Sequence, residues 1–105
     1  MSEEVVARLD RADGVTTVAL TGEVDVLTVD QVRTSLAEAI ADRPRSVVVD
    51  LSDLSFIDST GLGALILGFQ RARDAGIAFR LRRPSGGVRQ ILVVSGLLEV
   101  VELED

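Results

Sequence analysis

Asp58, Ser59 and Thr60 stand in a row immediately before Gly61-Leu62-Gly63. A carboxylate next to two hydroxyls could act as a nucleophile with its base, as an acceptor of phosphate, or as a helix cap. Capping alone is a sufficient reason for such residues, because Asp, Ser and Thr each satisfy backbone N–H groups at a helix start, for about 0.5–2 kcal/mol. One cap is enough, however, and here there are three candidates. Gly61 and Gly63 each cost about 1 kcal/mol relative to alanine inside a helix. They would strip side chains from the first turn and let another surface approach the hydroxyls. A helix N-terminus also presents unpaired N–H groups and a partial positive charge, which suit a phosphate.

Composition narrows the chemistry. The chain has 105 residues, no His and no Cys, and every basic residue is Arg. Without His, Ser59 has no partner to activate it in the manner of a hydrolase, and His metal sites and His phosphorelay are excluded. Without Lys there is no phosphate-binding loop. The run Val47-Val48-Val49-Asp50 superficially resembles aspartyl-phosphate enzymes, but Ser52 stands where dehalogenase-type phosphotransferases need a second Asp. Receiver domains need an acidic pair and a Lys that this chain does not supply. An autonomous enzyme is not expected, nor a resident cofactor or metal. What remains is a passive acceptor, a Ser that a separate kinase modifies with its own ATP, Mg²⁺ and base. The amides of Gly61 and Leu62 are expected to offset part of the added charge.

The net charge of −6 argues against direct nucleic-acid binding, where phosphate neutralisation dominates. It fits either ordinary solubility or an acidic face that docks a basic partner. No apolar run approaches the roughly 20 residues of a membrane span, and Met-Ser-Glu-Glu lacks the basic start of a signal peptide. With no Cys, these features fit a cytoplasmic protein.

The elements that must position the corner follow from periodicity. The expected order is strand, strand, helix, strand, helix, strand, helix, strand, all in a single α/β domain spanning 1–105. Val5–Leu9 and Val15–Gly22 read as strands joined by an Asp13-Gly14 turn. Thr28 with Gln31 suggests a capping box for a helix burying Val29, Val32, Leu36, Ala39 and Ile40. Val47–Leu51 reads as a buried strand, followed by a loop and a helix from Ser59 to Ala75 that turns Leu62, Leu65, Ile66 and Phe69 to the core. Leu67 falls off that stripe, as an inert half-exposed residue or an apolar contact. Gly76 ends this helix in the left-handed conformation. Ile77–Leu81 is a further strand. Val88, Ile91, Leu92 and Ser95 form the inner face of a short helix, and Val100–Leu103 is a last strand. The ends, Met1–Glu4 and Glu104–Asp105, are expected to fray.

Phe56-Ile57-Asp58-Ser59-Thr60-Gly61-Leu62-Gly63, preceded by Leu20-Thr21-Gly22-Glu23-Val24-Asp25, resembles the two signatures of the STAS domains, and among them the single-domain anti-sigma factor antagonists of bacteria. A weaker element is Val88-Arg89-Gln90-Ile91-Leu92 with Gly96-Leu97. Val24 stands where Leu is commoner in the family, a change that touches packing only. The resemblance implies a mixed sheet of about four to five strands with helices mainly on one side. It also implies partner switching. The unmodified chain would bind an anti-sigma factor that is also its Ser kinase, phosphorylation of Ser59 would release it, and a metal-dependent Ser/Thr phosphatase would reset it. On the same resemblance Asp58, Ser59, Thr60, Gly61 and Leu62 form the contact corner, bordered by Asp25 and Thr28. Glu23 and Asp25 could equally be solvated loop acids, and Thr60 could be the acceptor in place of Ser59. Members of the family also bind nucleotides, but no phosphate-cradling motif is present here. The other reading is an accessory STAS subunit that docks constantly on a transporter or larger assembly and is never phosphorylated.

Overall fold

The computed structural model describes residues 5–104, so the expectations for Met1–Glu4 and Asp105 lie outside the described residues. The elements are β1 (Val6–Ala12), β2 (Val15–Val24), α1 (Val29–Ala41), β3 (Ser46–Ile57), α2 (Ser59–Asp74), β4 (Ala78–Arg82), α3 (Gly86–Val94), a single 3₁₀ turn (Leu97–Glu99) and β5 (Glu102–Glu104). The sheet runs in the order β1-β2-β3-β4-β5. β1 is antiparallel to β2, and the other pairs are parallel. Each crossover steps one strand in the same direction. Since such connections are right-handed, α1, α2 and α3 all fall on one face, where a single core cluster unites their buried residues with Val18, Leu20, Val49 and Leu51. The expected mixed sheet with helices on one side is what forms.

The other face carries no helix. Its central row reads Arg8, Ala19, Asp50, Arg82, Glu104 across all five strands. Val48 on this face is nevertheless fully buried, like Val47 and Val49. It sits between Thr17 and Arg80 in register, where long arginine stems can cover apolar surface while their heads stay wet.

Several expectations are corrected. β3 does not end at Leu51 but runs on to Ile57, and the supposed loop is strand. From Ala19 to Val24 β2 advances five residues while its partner advances seven, from Asp50 to Ile57, because two irregularities each insert an extra residue into β3. A bulge of this kind resets the alternation. It explains why Leu51, Leu54 and Ile57, spaced by three, are all buried. Second, α2 has the expected period but a different phase. Its buried residues are Gly61, Ala64, Leu65, Gly68 and Ala72, whereas Ile66 is 39% exposed, as is Leu67. The inward stripe is made largely of small residues that bring the helix close to its neighbours. A Cβ on Gly68 would lie 3.0 Å from Leu36 Cδ1. Third, the last strand begins later than expected. Val100 is exposed beyond the 3₁₀ turn, and Glu104 is not frayed but pairs with Arg80 and Arg82 at 3.4 and 3.1 Å. Ser95, expected on the inner face of α3, is exposed and ends that helix. The left-handed terminator at Gly76 (φ 74°) forms as the sequence suggests.

Candidate functional site

The parallel strands β2, β3 and β4 end at one edge of the sheet, the place where open α/β sheets present their loops for binding. Two of those loops are joined directly. Val24 pairs with Ile57 at the strand ends, and the Asp58 amide donates to the Val24 carbonyl at 3.1 Å. The turn after β2 and the corner after β3 are therefore one continuous piece of surface.

At the corner, Asp58 is the N-cap of α2, and its Oδ1 accepts from the Gly61 amide at 3.0 Å. Its carbonyl accepts from the Leu62 amide at 3.0 Å. The two amides expected to receive a phosphate are thus already committed to Asp58. Ser59 and Thr60 then occupy the first two helical positions, whose N–H groups have no intrahelical acceptor. Ser59 is exposed, and among the described residues its hydroxyl has no hydrogen-bond partner. Thr60 and Leu62 are half-buried. Of the two hydroxyl residues, Ser59 is the one that a foreign active site can reach most readily.

The glycines divide. Gly61 is buried, and a Cβ there would stand 2.6 Å from Ile57 Cγ1 and 2.7 Å from Val24 Cγ1. Its bare backbone serves the packing of α2 onto the strand ends and is not open to a partner, as the sequence reading had assigned it. Gly63 is exposed, and a Cβ there would meet nothing within 4 Å. Of these two corner glycines, Gly63 is the one that leaves bare backbone facing outward.

The turn before α1 also departs from expectation. Thr28 is the N-cap of α1, but its side chain makes no capping bond, and the box with Gln31 does not form. The Thr28 hydroxyl turns back, donating to the Glu23 carbonyl at 2.8 Å and accepting from the Asp25 amide at 3.0 Å. Asp25 Oδ1 accepts from the amides of Leu27 (2.9 Å) and Thr28 (3.2 Å), while its carbonyl accepts from Thr28 and Val29. Asp25 and Thr28 are half-buried and hold a tight turn between them. On that turn Val26 is 71% and Leu27 77% exposed. Sequence reasoning passed over these two. The available signal was an apolar pair inside a segment that otherwise reads as a turn.

Asp50 is the second acid that had drawn attention, and its setting differs. Its side chain is 16% exposed. Burial opposes its charge, but the Ser52 amide (3.0 Å), the Ser52 hydroxyl (2.7 Å) and the nearby Arg83 and Arg82 outweigh that effect and hold the carboxyl below its ordinary range. Arg83 approaches it at 3.6 Å. Asp50 lies on the helix-free face and is tied into the strand, not presented at the corner.

A sequence model of the STAS domain matches residues 7–105. A curated relative, the anti-sigma F factor antagonist of Paenibacillus polymyxa, is 33% identical over 93 residues, which covers 88% of this chain and 80% of the relative. Among solved structures, an anti-sigma factor antagonist from Mycobacterium paratuberculosis superposes with a TM-score of 0.87 at 25% identity, covering 94% of this chain and 84% of that one. The phosphorylated form of the Bacillus cell fate determinant SpoIIAA shares the fold, with a TM-score of 0.72 at 22% identity over 95% of this chain and 92% of that one.

Proposed function

This chain belongs to the STAS domain family, and from that premise we propose that it is a non-enzymatic anti-sigma factor antagonist whose docking is switched off by phosphorylation of Ser59. The unmodified chain binds an anti-sigma factor through Asp58, Ser59, Thr60 and Leu62 at the corner, with Gly61 packed beneath them, and through the adjoining turn at Asp25–Thr28. The anti-sigma factor is itself the Ser kinase, and sequestering it frees a sigma factor. A metal-dependent Ser/Thr phosphatase restores the unmodified state. All of these steps take place in the cytoplasm, where ATP and the transcription machinery are found.

The exposed, unpartnered Ser59 hydroxyl at the first position of α2 carries this reading. The physics of the switch is local. Phosphorylation adds about −1.5 to −2 charges at neutral pH. Beside Ser59 the Asp58 carboxylate is already fixed on the Gly61 amide, and the amides of Gly61 and Leu62 are occupied. The helix dipole and the first two N–H groups remain to offset the charge, enough for the free domain in water. Within a docked, water-excluding contact an uncompensated charge costs several kcal/mol, and each 1.4 kcal/mol is about tenfold in affinity. Release therefore requires no change of fold.

The test is phosphate mapping. After incubation with a purified anti-sigma factor kinase, ATP and Mg²⁺, mass spectrometry should place a single phosphate on Ser59. Ser59→Ala should accept none while still binding the kinase. Phosphate on Thr60, or on neither residue, defeats the assignment.

A further inference from the structure

The turn between β2 and α1 has a construction that solvent exposure alone does not call for. Asp25 and Thr28, the two polar residues that the family resemblance placed at the border of the partner surface, direct their side chains inward to the turn itself. The carboxylate holds the Leu27 and Thr28 amides, and the hydroxyl bridges the Glu23 carbonyl and the Asp25 amide. What the turn shows to the outside is Val26 and Leu27, at 71% and 77% exposure. An apolar pair held outward on a rigid support loses little conformational freedom when it is covered, the condition under which burial yields affinity.

We propose that Val26 and Leu27 form an apolar anchor for the same anti-sigma factor, independent of the phosphorylation state, with Asp25 and Thr28 acting as positioning residues behind it; this rests on the reading of the Ser59 corner given above. Two observations assign the occupant. The anchor is continuous with the corner through the Val24–Ile57 pair and the bond from the Asp58 amide to the Val24 carbonyl. Glu23 lies on the strand end that leads into the turn and Asp58 at the adjoining corner, and neither carboxylate is in an ion pair among the described residues. The matching surface is an apolar pocket rimmed by basic side chains. Division of labour follows. Ser59 decides whether the complex survives, whereas Val26 and Leu27 set how tightly both forms are held, including the encounter in which the kinase modifies its own ligand.

The experiment titrates the purified anti-sigma factor kinase into the full chain and its variants by calorimetry, with thermal melts as a check on folding. The double variant Val26→Ser/Leu27→Ser should bind at least tenfold more weakly. Val94→Ser should bind like wild type, although it removes a residue that is 80% exposed, because it lies at the far end of α3. In the kinase reaction the double variant should raise KM with kcat unchanged, a split that a misfolded corner would not give. Leu27→Met should restore most of the affinity. Wild-type affinity of the double variant would overturn the anchor, while a weak Ser59→Asp in the same series would leave the switch standing. Weak binding by the double variant supports the anchor however Ser59→Asp behaves. Self-association of the chain that the double variant abolishes, with kinase affinity unchanged, would assign the patch to a second copy instead and overturn the proposal.

Discussion

Two Asp–Ser pairs lie along the same stretch of chain, and they are built for opposite ends. In β3, the Ser52 hydroxyl donates to Asp50 at 2.7 Å, and the acid is enclosed by strand backbone and arginines. At the start of α2, the Asp58 carboxylate turns to the Gly61 amide, and Ser59, its neighbour, is left facing water. The residue types are the same, and what differs is backbone geometry. In the strand the acid and the hydroxyl two residues on lie at an irregularity in the β2–β3 register and satisfy one another. At a helix start the acid's best partners are amides further along the chain, so the adjacent hydroxyl has none. A hydroxyl becomes available for modification when its obvious acceptor is otherwise engaged.

The largest expected contrast places the same charge at each pair. Ser59→Asp should fold normally yet lose partner affinity on the order of a hundredfold or more, given the cost of an unpaired charge in a closed contact. Ser52→Asp should do the reverse, keeping affinity within about twofold while losing on the order of 1 kcal/mol of stability, because it removes the donor to Asp50 and sets like charges together. Calorimetric titration paired with urea unfolding separates the two outcomes. Equal affinity for Ser59→Asp and wild type would erase the distinction between the sites.

The next contrast lies inside the corner. Gly61→Ala must push against Ile57 and Val24, whose carbons would stand 2.6 and 2.7 Å from the new methyl; overpacking of this kind costs about 1–3 kcal/mol. Gly63→Ala meets nothing within 4 Å and should stabilise the domain by up to about 1 kcal/mol through helix propensity. If bare backbone at position 63 lies under the partner, the same alanine weakens the complex even as the fold gains stability. Chemical denaturation and partner titration on both variants would show it. A stable Gly61→Ala would mean that the close approach of helix and strand is not needed to hold the corner.

The sequence discloses the order of elements, the helix beginning at Ser59, and the glycine that ends it, because hydrophobic periods and left-handed termini leave local traces. Its failures share a cause. The extension of β3 through Leu54 to Ile57 is hidden because two inserted residues turn a period of two into a spacing of three. The phase of α2 is misread because Gly61, Ala64, Gly68 and Ala72 face the core, and small residues carry no hydrophobic signal at the positions where close packing excludes large ones. Thr28 is misassigned because a hydroxyl at a helix start can cap forward or brace the turn behind it, and the Glu23 carbonyl that decides the matter is placed only by the folded strand end. The exposure of Val26 and Leu27 depends on that same brace. Residue types at the corner were legible, but the engagement of each polar atom was not.

The smallest effect tests Asp50. In the folded chain its carboxyl is held below the ordinary range, burial being outweighed by the Ser52 amide and hydroxyl and by Arg83 and Arg82. A depressed folded value means that the ionised acid is favoured in the native state. Its contribution is therefore complete above the unfolded value of about 3.9 and is lost as pH falls through that value toward the folded one. Asp50→Asn keeps an oxygen for the Ser52 donors but carries no charge at any pH. The difference in unfolding free energy between wild type and variant should be constant from neutrality to about pH 5 and then shrink as the solution is acidified. Partner affinity at neutral pH should not change, since the group lies on the helix-free face, away from Ser59. Parallel acid profiles for the two proteins would show that the strand pair does not stabilise the charge. An affinity loss at neutral pH would place Asp50 within reach of the partner, and the two Asp–Ser pairs would then belong to one surface.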